Sequence, residues 1–174
     1  MDSKVFKKMI FMFFSVSTLL VSCAVPVRVA IEPPVRLEGF LNAKWGAPIE
    51  ETQKAIEMDG NKWFQDHTGT PPYTLYAHGT SLGYPSLFSY FFTPVSKKLY
   101  RADVTFSDLK IYEKAKEHLI QKFKNPSFSQ KDVDHWSWND KSLLILQKDS
   151  THVQISYSNG PLLELNQKEG GPIK

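Results

Sequence analysis

The chain has 174 residues, with 21 Lys and Arg against 18 Asp and Glu, 41% hydrophobic and 13% aromatic content, and one cysteine, Cys23. Near-balanced charge without a basic stripe excludes the electrostatic footprint of a nucleic-acid-binding protein, and a single cysteine excludes an internal disulfide. A chain of this size buries roughly two thirds of its unfolded surface, so its stability has to come from an apolar core.

The chain opens with Lys4, Lys7 and Lys8, followed by mostly apolar residues from Met9 to Val21. This is a basic n-region and an h-region, the pattern of a secretory signal peptide and too short to span a bilayer comfortably. It ends in Leu20-Val21-Ser22-Cys23, which resembles the lipobox of bacterial lipoproteins. The resemblance implies cleavage between Ser22 and Cys23 and diacylglycerol on the cysteine thiol. Two or three acyl chains hold a protein durably, whereas one holds it only marginally. Residue 24 is Ala rather than the Asp that commonly retains lipoproteins in the inner membrane, so the outer membrane is favoured if the source has two. With residues 1–22 removed, 152 residues remain, carrying 18 basic and 17 acidic side chains.

Residues 23–38 read as the lipidated cysteine and a semi-extended tether, with Pro26, Pro33 and Pro34. At about 3.1 Å per residue such a segment reaches roughly 45 Å. The competing reading docks part of it as an edge strand, because Val25, Val27, Val29 and Ile31 alternate. The folded domain is expected over 39–165. Pro48, Glu50 and Glu51 open a short helix that Asp59-Gly60 stops, with Ile49, Thr52 and Ile56 on one face. Strands follow over 63–65, 73–78, 86–93 and 98–106, the last alternating cleanly.

A longer helix is expected over 108–124, with Tyr112, Ala115, Leu119 and Phe123 at helical spacing and Asn125-Pro126 as its stop. Three or four strands come next, over 133–138, 142–148, 151–157 and 162–165, with Asp149-Ser150 and Asn159-Gly160 at tight turns. Residues 166–174 read as a polar, disordered tail. The expected class is α+β: antiparallel sheet or sheets, one long helix packed across, and one short N-terminal helix. Helix followed by strands occurs twice along the chain, without a residue-level repeat.

Lys44-Trp45-Gly46 with Glu50-Glu51, Tyr112 and Leu119 ahead of Pro126, and Trp138 before Ile155-x-Tyr157 resemble small α+β domains of bacterial envelope proteins. The opening is also loosely similar to the small lipoprotein of the outer-membrane β-barrel assembly machinery, with Ala47 and Pro48 where that family has Met-Ser/Thr. This resemblance implies an envelope setting and brings no catalytic residues.

Gly79-Thr80-Ser81-Leu82-Gly83 matches the G-x-S-x-G of a nucleophile elbow, in which a strand-to-helix turn exposes the serine. Tyr84-Pro85 follows, so a hairpin loop is the better reading. His67, His78, His118, His135 and His152 are scattered without metal-ligand spacing, and no cofactor is expected. Glu50-Glu51 suits a helix dipole, and Asp132 and Asp134 flank Val133 at a strand start. Among the aromatic residues, Phe91 and Phe92 are successive and point to opposite strand faces, while Trp136 and Trp138 share a face. These four are the candidate binding surface, against the alternative that they fill the core.

The expected function is a lipid-anchored, non-enzymatic interaction or assembly module of the bacterial cell envelope. Its partners are the membrane, through Cys23, and an envelope protein, with no nucleic acid. The alternatives are a small ester hydrolase using Ser81, or a small-ligand or lipid carrier with a cavity between helix and sheet.

Overall fold

The architecture is that of a computed structural model, which describes residues 33–172. It is α+β. A two-stranded hairpin, β1 (Gly39–Phe40) and β2 (Ala43–Lys44), precedes helix α1 (Ile49–Met58). Four strands follow in order: β3 (Lys62–His67), β4 (Thr74–Ser81), β5 (Tyr84–Phe92) and β6 (Leu99–Phe106). Helix α2 (Ile111–Phe123) then leads into β7 (Phe128–Gln130), β8 (Val133–Ser137), β9 (Leu143–Lys148) and β10 (Val153–Ser158), and α3 (Gly160–Lys168) closes the described chain.

The eight long-sheet strands lie in the order β3-β4-β5-β6-β10-β9-β8-β7, with every pair antiparallel. Two meanders, each preceded by a helix, thus meet at their last strands. The double occurrence of helix and strands in the sequence is a spatial duplication: α1 with β3–β6, and α2 with β7–β10.

Period-2 alternation sets which face is apolar. In register across the centre lie Ala77, Phe88, Val104, Ile155 and Leu146, and one step along Leu75, Tyr90, Ala102, Tyr157 and Leu144. Against this face pack Ile56 and Ala55 of α1, Ile111, Tyr112, Ala115, Leu119 and Phe123 of α2, and Phe40 of the hairpin. The opposite face is polar at its centre. There the Arg101 guanidinium donates to both Asp103 carboxylate oxygens at 2.7 and 2.8 Å, and Gln154 donates to Asp103 at 2.7 Å. A charged pair this close to full burial persists because its lone pairs are occupied.

Three expectations are corrected. Residues 162–165 are helical rather than a strand, and Asn159-Gly160 is the start of α3 rather than a tight hairpin turn: the Asn159 side chain accepts from the Leu162 amide at 3.1 Å, and Pro161 suits the first turn. Residues 166–168 continue that helix, with Asn166 fully buried, so the tail is not disordered from its start. The tether is shorter than 23–38, because Pro33 is buried and the chain from there lies on the domain.

Candidate functional site

The site begins with the β1–β2 hairpin, which crosses the apolar sheet face. Its turn passes through Leu41 at φ 54°, and the following Asn42 is tied to α1's end: its amide side chain donates to Asp59 Oδ1 at 2.6 Å. Gly39 permits the tight pairing, since a Cβ there would sit 2.2 Å from the Ala43 carbonyl oxygen. Phe40 is thereby pressed between Phe88, Tyr90 and Tyr157, with ring centroids 5.8, 5.7 and 5.1 Å away.

The approach to the hairpin is pinned by two indoles. Trp138 Nε1 donates to the Val35 carbonyl at 3.0 Å, and Trp45 Nε1 donates to the Leu37 carbonyl at 2.8 Å. Between this strap and α2 a cleft of about 830 Å³ remains open. The strap and hairpin, residues 35–44, form one wall; His118, Lys122 and Phe123 of α2 form the other. Ile155 and Tyr157 of β10 lie beneath, and Ser81 and Leu82 also line it. Burial pushes the Tyr157 phenol above its ordinary range, so it stays protonated there. Arg36, Lys44 and Lys122 are exposed at the rim with Glu38 as the one carboxylate, and no salt bridge joins any of them among the described residues.

Ser81 pairs with Tyr84 across a two-residue turn through Leu82 (φ 53°) and Gly83 (φ 83°). Both central residues are left-handed, the geometry that matches hairpin twist and suits Gly at the second position. The chain therefore runs strand, turn, strand, unlike the strand, turn, helix of a nucleophile elbow. Ser81 and His118 line the same cleft, yet no hydrogen bond joins them among the described residues.

Cys23 and Ser22 lie outside the described residues. The aromatic surface expected at Phe91, Phe92, Trp136 and Trp138 is corrected, since these residues are only 8, 0, 0 and 5% exposed. Phe92 joins the core, Phe91 lies under the Arg101 guanidinium at 5.2 Å, and the Trp136 indole donates to the Lys124 carbonyl at 2.8 Å. Trp138 meets Phe123 edge-on at 5.8 Å. They are walls and fasteners rather than contacts. Among the described residues the exposed phenylalanine rings are those of Phe64 and Phe128, at 48 and 49%. Phe64 stacks on His78 at 4.3 Å, with 7° between the ring planes, and Phe128 lies 5.4 Å from His135. Sequence reasoning passed over both, although the alternation of β4 and β8 places each histidine opposite the core residues of its own strand.

Asp134 and Asp132 are engaged within the fold. Asp134 is fully buried, accepting from the Tyr112 hydroxyl at 2.8 Å and the Ser129 hydroxyl at 2.5 Å, and Lys116 Nζ lies 3.0 Å away. Burial pushes its carboxyl up, but the hydrogen bonds from Ser129, Lys116 and Tyr112 pull it further down, so it stays ionised below the usual carboxylate range. Asp132 pairs with Lys148 at 2.9 Å. Among the described residues no group of three or more His, Cys, Asp or Glu is placed to hold a metal ion, and no helix is long and apolar enough to cross a membrane.

No protein-family model, no characterised protein and no solved structure matches the chain. Its site is therefore read from its own chemistry.

Proposed function

We propose that this is a lipid-anchored protein of the bacterial cell envelope, held by diacylglycerol on Cys23 after cleavage at Ser22, that works as a non-enzymatic interaction module. The n-region, h-region and Leu-x-Ser-Cys ending support the anchor. Because the chain is seated on the domain from Pro33, the ten residues 23–32 limit the reach to roughly 30 Å, at about 3.1 Å per residue. Outer-membrane placement rests on Ala24 alone.

The observation that carries the interaction reading is the free edge of the sheet at β3. Among the described residues this strand pairs only with β4, five of its six residues are exposed, and it presents the Phe64 ring on the His78 imidazole. An extended segment of an envelope partner can add there as a ninth strand, its main chain supplying affinity and Phe64 a side-chain contact. Lys62 and Asp66 flank Phe64 and discourage self-pairing of the same edge. A photo-crosslinking residue at Phe64, introduced in living cells, is expected to yield a discrete heavier adduct that a control at exposed Lys110 lacks; equal patterns at both positions would sink the reading. The mass of the N-terminal peptide from native membranes tests the anchor separately, and a peptide beginning elsewhere than a diacylglyceryl-modified Cys23 would overturn it.

A second reading, a small-ligand or lipid carrier, is favoured by one specific observation. The 830 Å³ cleft between the strap and α2 is well above the ~300 Å³ at which ligand pockets begin. A hydrolase using Ser81 has less support, because no helix N-terminus follows the serine to supply an oxyanion hole.

A further inference from the structure

Two leucines sit where the backbone favours glycine or asparagine. Leu41 in the turn of the β1–β2 hairpin and Leu82 in the turn between β4 and β5 have φ of 54° and 53°, the left-handed region in which a bulky side chain is strained. Packing offsets such strain where a leucine is buried, but Leu41 is 58% exposed. Leu41 and Leu82 line the same cleft, and Asn42, next to Leu41, is bonded to Asp59 just past the end of α1. Asp59 follows Met58, the last residue of that helix, which is 76% exposed. Two hairpin turns and a helix end thus bring three apolar side chains to one tip, and the fold gains little from exposing Leu41 and Met58 there.

The size of the tip decides what it meets. A stable protein–protein interface takes about 800 Å² from each partner, far more than three side chains supply. A bilayer asks for much less, because a lipid on Cys23 holds the domain beside it and the tether makes the contact intramolecular. Residues 23–32 reach roughly 30 Å, and the eight residues from Pro33 to Leu41 span at most about 29 Å, so the tether is long enough for lipid and tip to share one bilayer surface. We propose that Leu41, Met58 and Leu82 form an apolar tip that enters the headgroup–acyl boundary of the membrane carrying the lipid anchor. The inference rests on the anchor reading and adds an orientation to it. Phe64 lies with His78 on the sheet face away from the hairpin, so the free edge at β3 stays open to a partner.

The test uses the full lipidated protein in nanodiscs of phosphatidylcholine bearing a diazirine near the head of the acyl chain, followed by peptide mapping. Peptides containing Leu41 and Met58 are expected to be labelled. The peptide containing Val95, which is 75% exposed and lies at the other end of β5 from Leu82, should be labelled several-fold less. Leu41→Asn suits the left-handed backbone and removes the apolar group, so it should cut labelling of the Met58 peptide roughly threefold or more while raising the denaturation midpoint. Adding Met58→Ser should bring labelling of the Leu82 peptide to about a tenth of the parent's. Leu41→Met, which keeps an apolar side chain, and Val95→Ser, away from the tip, should both retain it. Equal labelling at Val95, or a lower midpoint for Leu41→Asn, overturns the proposal. So does a discrete protein adduct from a photo-crosslinking residue at Met58 in native membranes, which would assign the tip to a partner chain. The N-terminal peptide of the same digest separates the two readings: with diacylglyceryl-modified Cys23 present, an unlabelled tip overturns the tip alone, whereas any other terminus overturns anchor and tip together.

Discussion

The two halves of the sheet share a plan and differ in how they are held. Strands β3 to β6 run 6, 8, 9 and 8 residues, whereas β7 to β10 run only 3, 5, 6 and 6. The first half is held to its helix by apolar burial, with Phe88, Tyr90, Phe92 and Leu75 buried under the hairpin and α1, and its buried ion pair, Arg101 with Asp103, lies on the opposite face of the sheet. The second half has less ladder and adds a fully buried carboxylate, Asp134, which ties α2 to β7 and β8 through Tyr112, Lys116 and Ser129. Short strands bury less side-chain area per pair, and a satisfied polar network fixes the helix where packing alone would leave it freer to slide. Both halves end outward in the same way, with an exposed Phe on the edge strand lying against a His of the next strand.

Substitutions in the two halves should separate these two means of support. Phe88→Ala removes a side chain 1% exposed beneath the hairpin and should cost about 4 kcal/mol, read as a fall in the chemical denaturation midpoint. A loss near 1 kcal/mol would mean that the hairpin collapses into the space and that the first half is less tightly built than described. Asp134→Ala should cost about 3 kcal/mol, the low end for a broken buried pair because Lys116 keeps 28% of its side chain exposed. The carboxyl is held below its usual range in the folded state, so its contribution is present above the ordinary carboxylate pKa and disappears as pH falls through the folded value. Asp134→Ala should therefore narrow its gap to the parent protein in acid. A constant gap across pH would assign the loss to packing, and the contrast between the halves would fail.

Strands β5 and β6 were legible because long alternation leaves one register that buries an apolar face. Strand β7 was not, since Phe128-Ser129-Gln130 is three exposed residues whose pairing depends on β8. Helix α3 carried its own start signal in Asn159 and Pro161, but three leucines within four positions fit a strand equally well. The aromatic residues were misjudged because opposite orientation does not imply exposure: the far face at Phe91 is closed by the guanidinium of Arg101, its register partner on the neighbouring strand β6, and that register is set only once the two strands pair. The cleft was illegible in principle, since its walls come from residues as far apart as Arg36 and Tyr157. What could be read was the composition that makes such a cleft possible, a chain rich in rings with cations spread evenly among them.

Helix α3 has no counterpart in the first half, and it returns the end of the second half to the first. At its C-terminus Glu169 accepts from the backbone amides of Val95 and Ser96 in the β5–β6 connection, at 2.7 and 3.0 Å. Partial burial pushes this carboxyl up, but hydrogen bonds from Ser96, Val95 and Thr93 outweigh that and bring it from its ordinary 4.5 down to about 2. The folded value lies below the unfolded one, so the latch contributes fully above about pH 4.5 and is lost as pH falls toward about 2. Solvent screening limits the effect to about 1 kcal/mol at most. Glu169→Gln keeps an acceptor of similar shape without the charge, and should be slightly less stable than the parent at neutral pH and equal to it near pH 2. Denaturation midpoints across that range decide the matter. A difference that persists at the acid end would mean that the latch works by shape alone, and the two halves would then be joined chiefly by the pairing of β6 with β10.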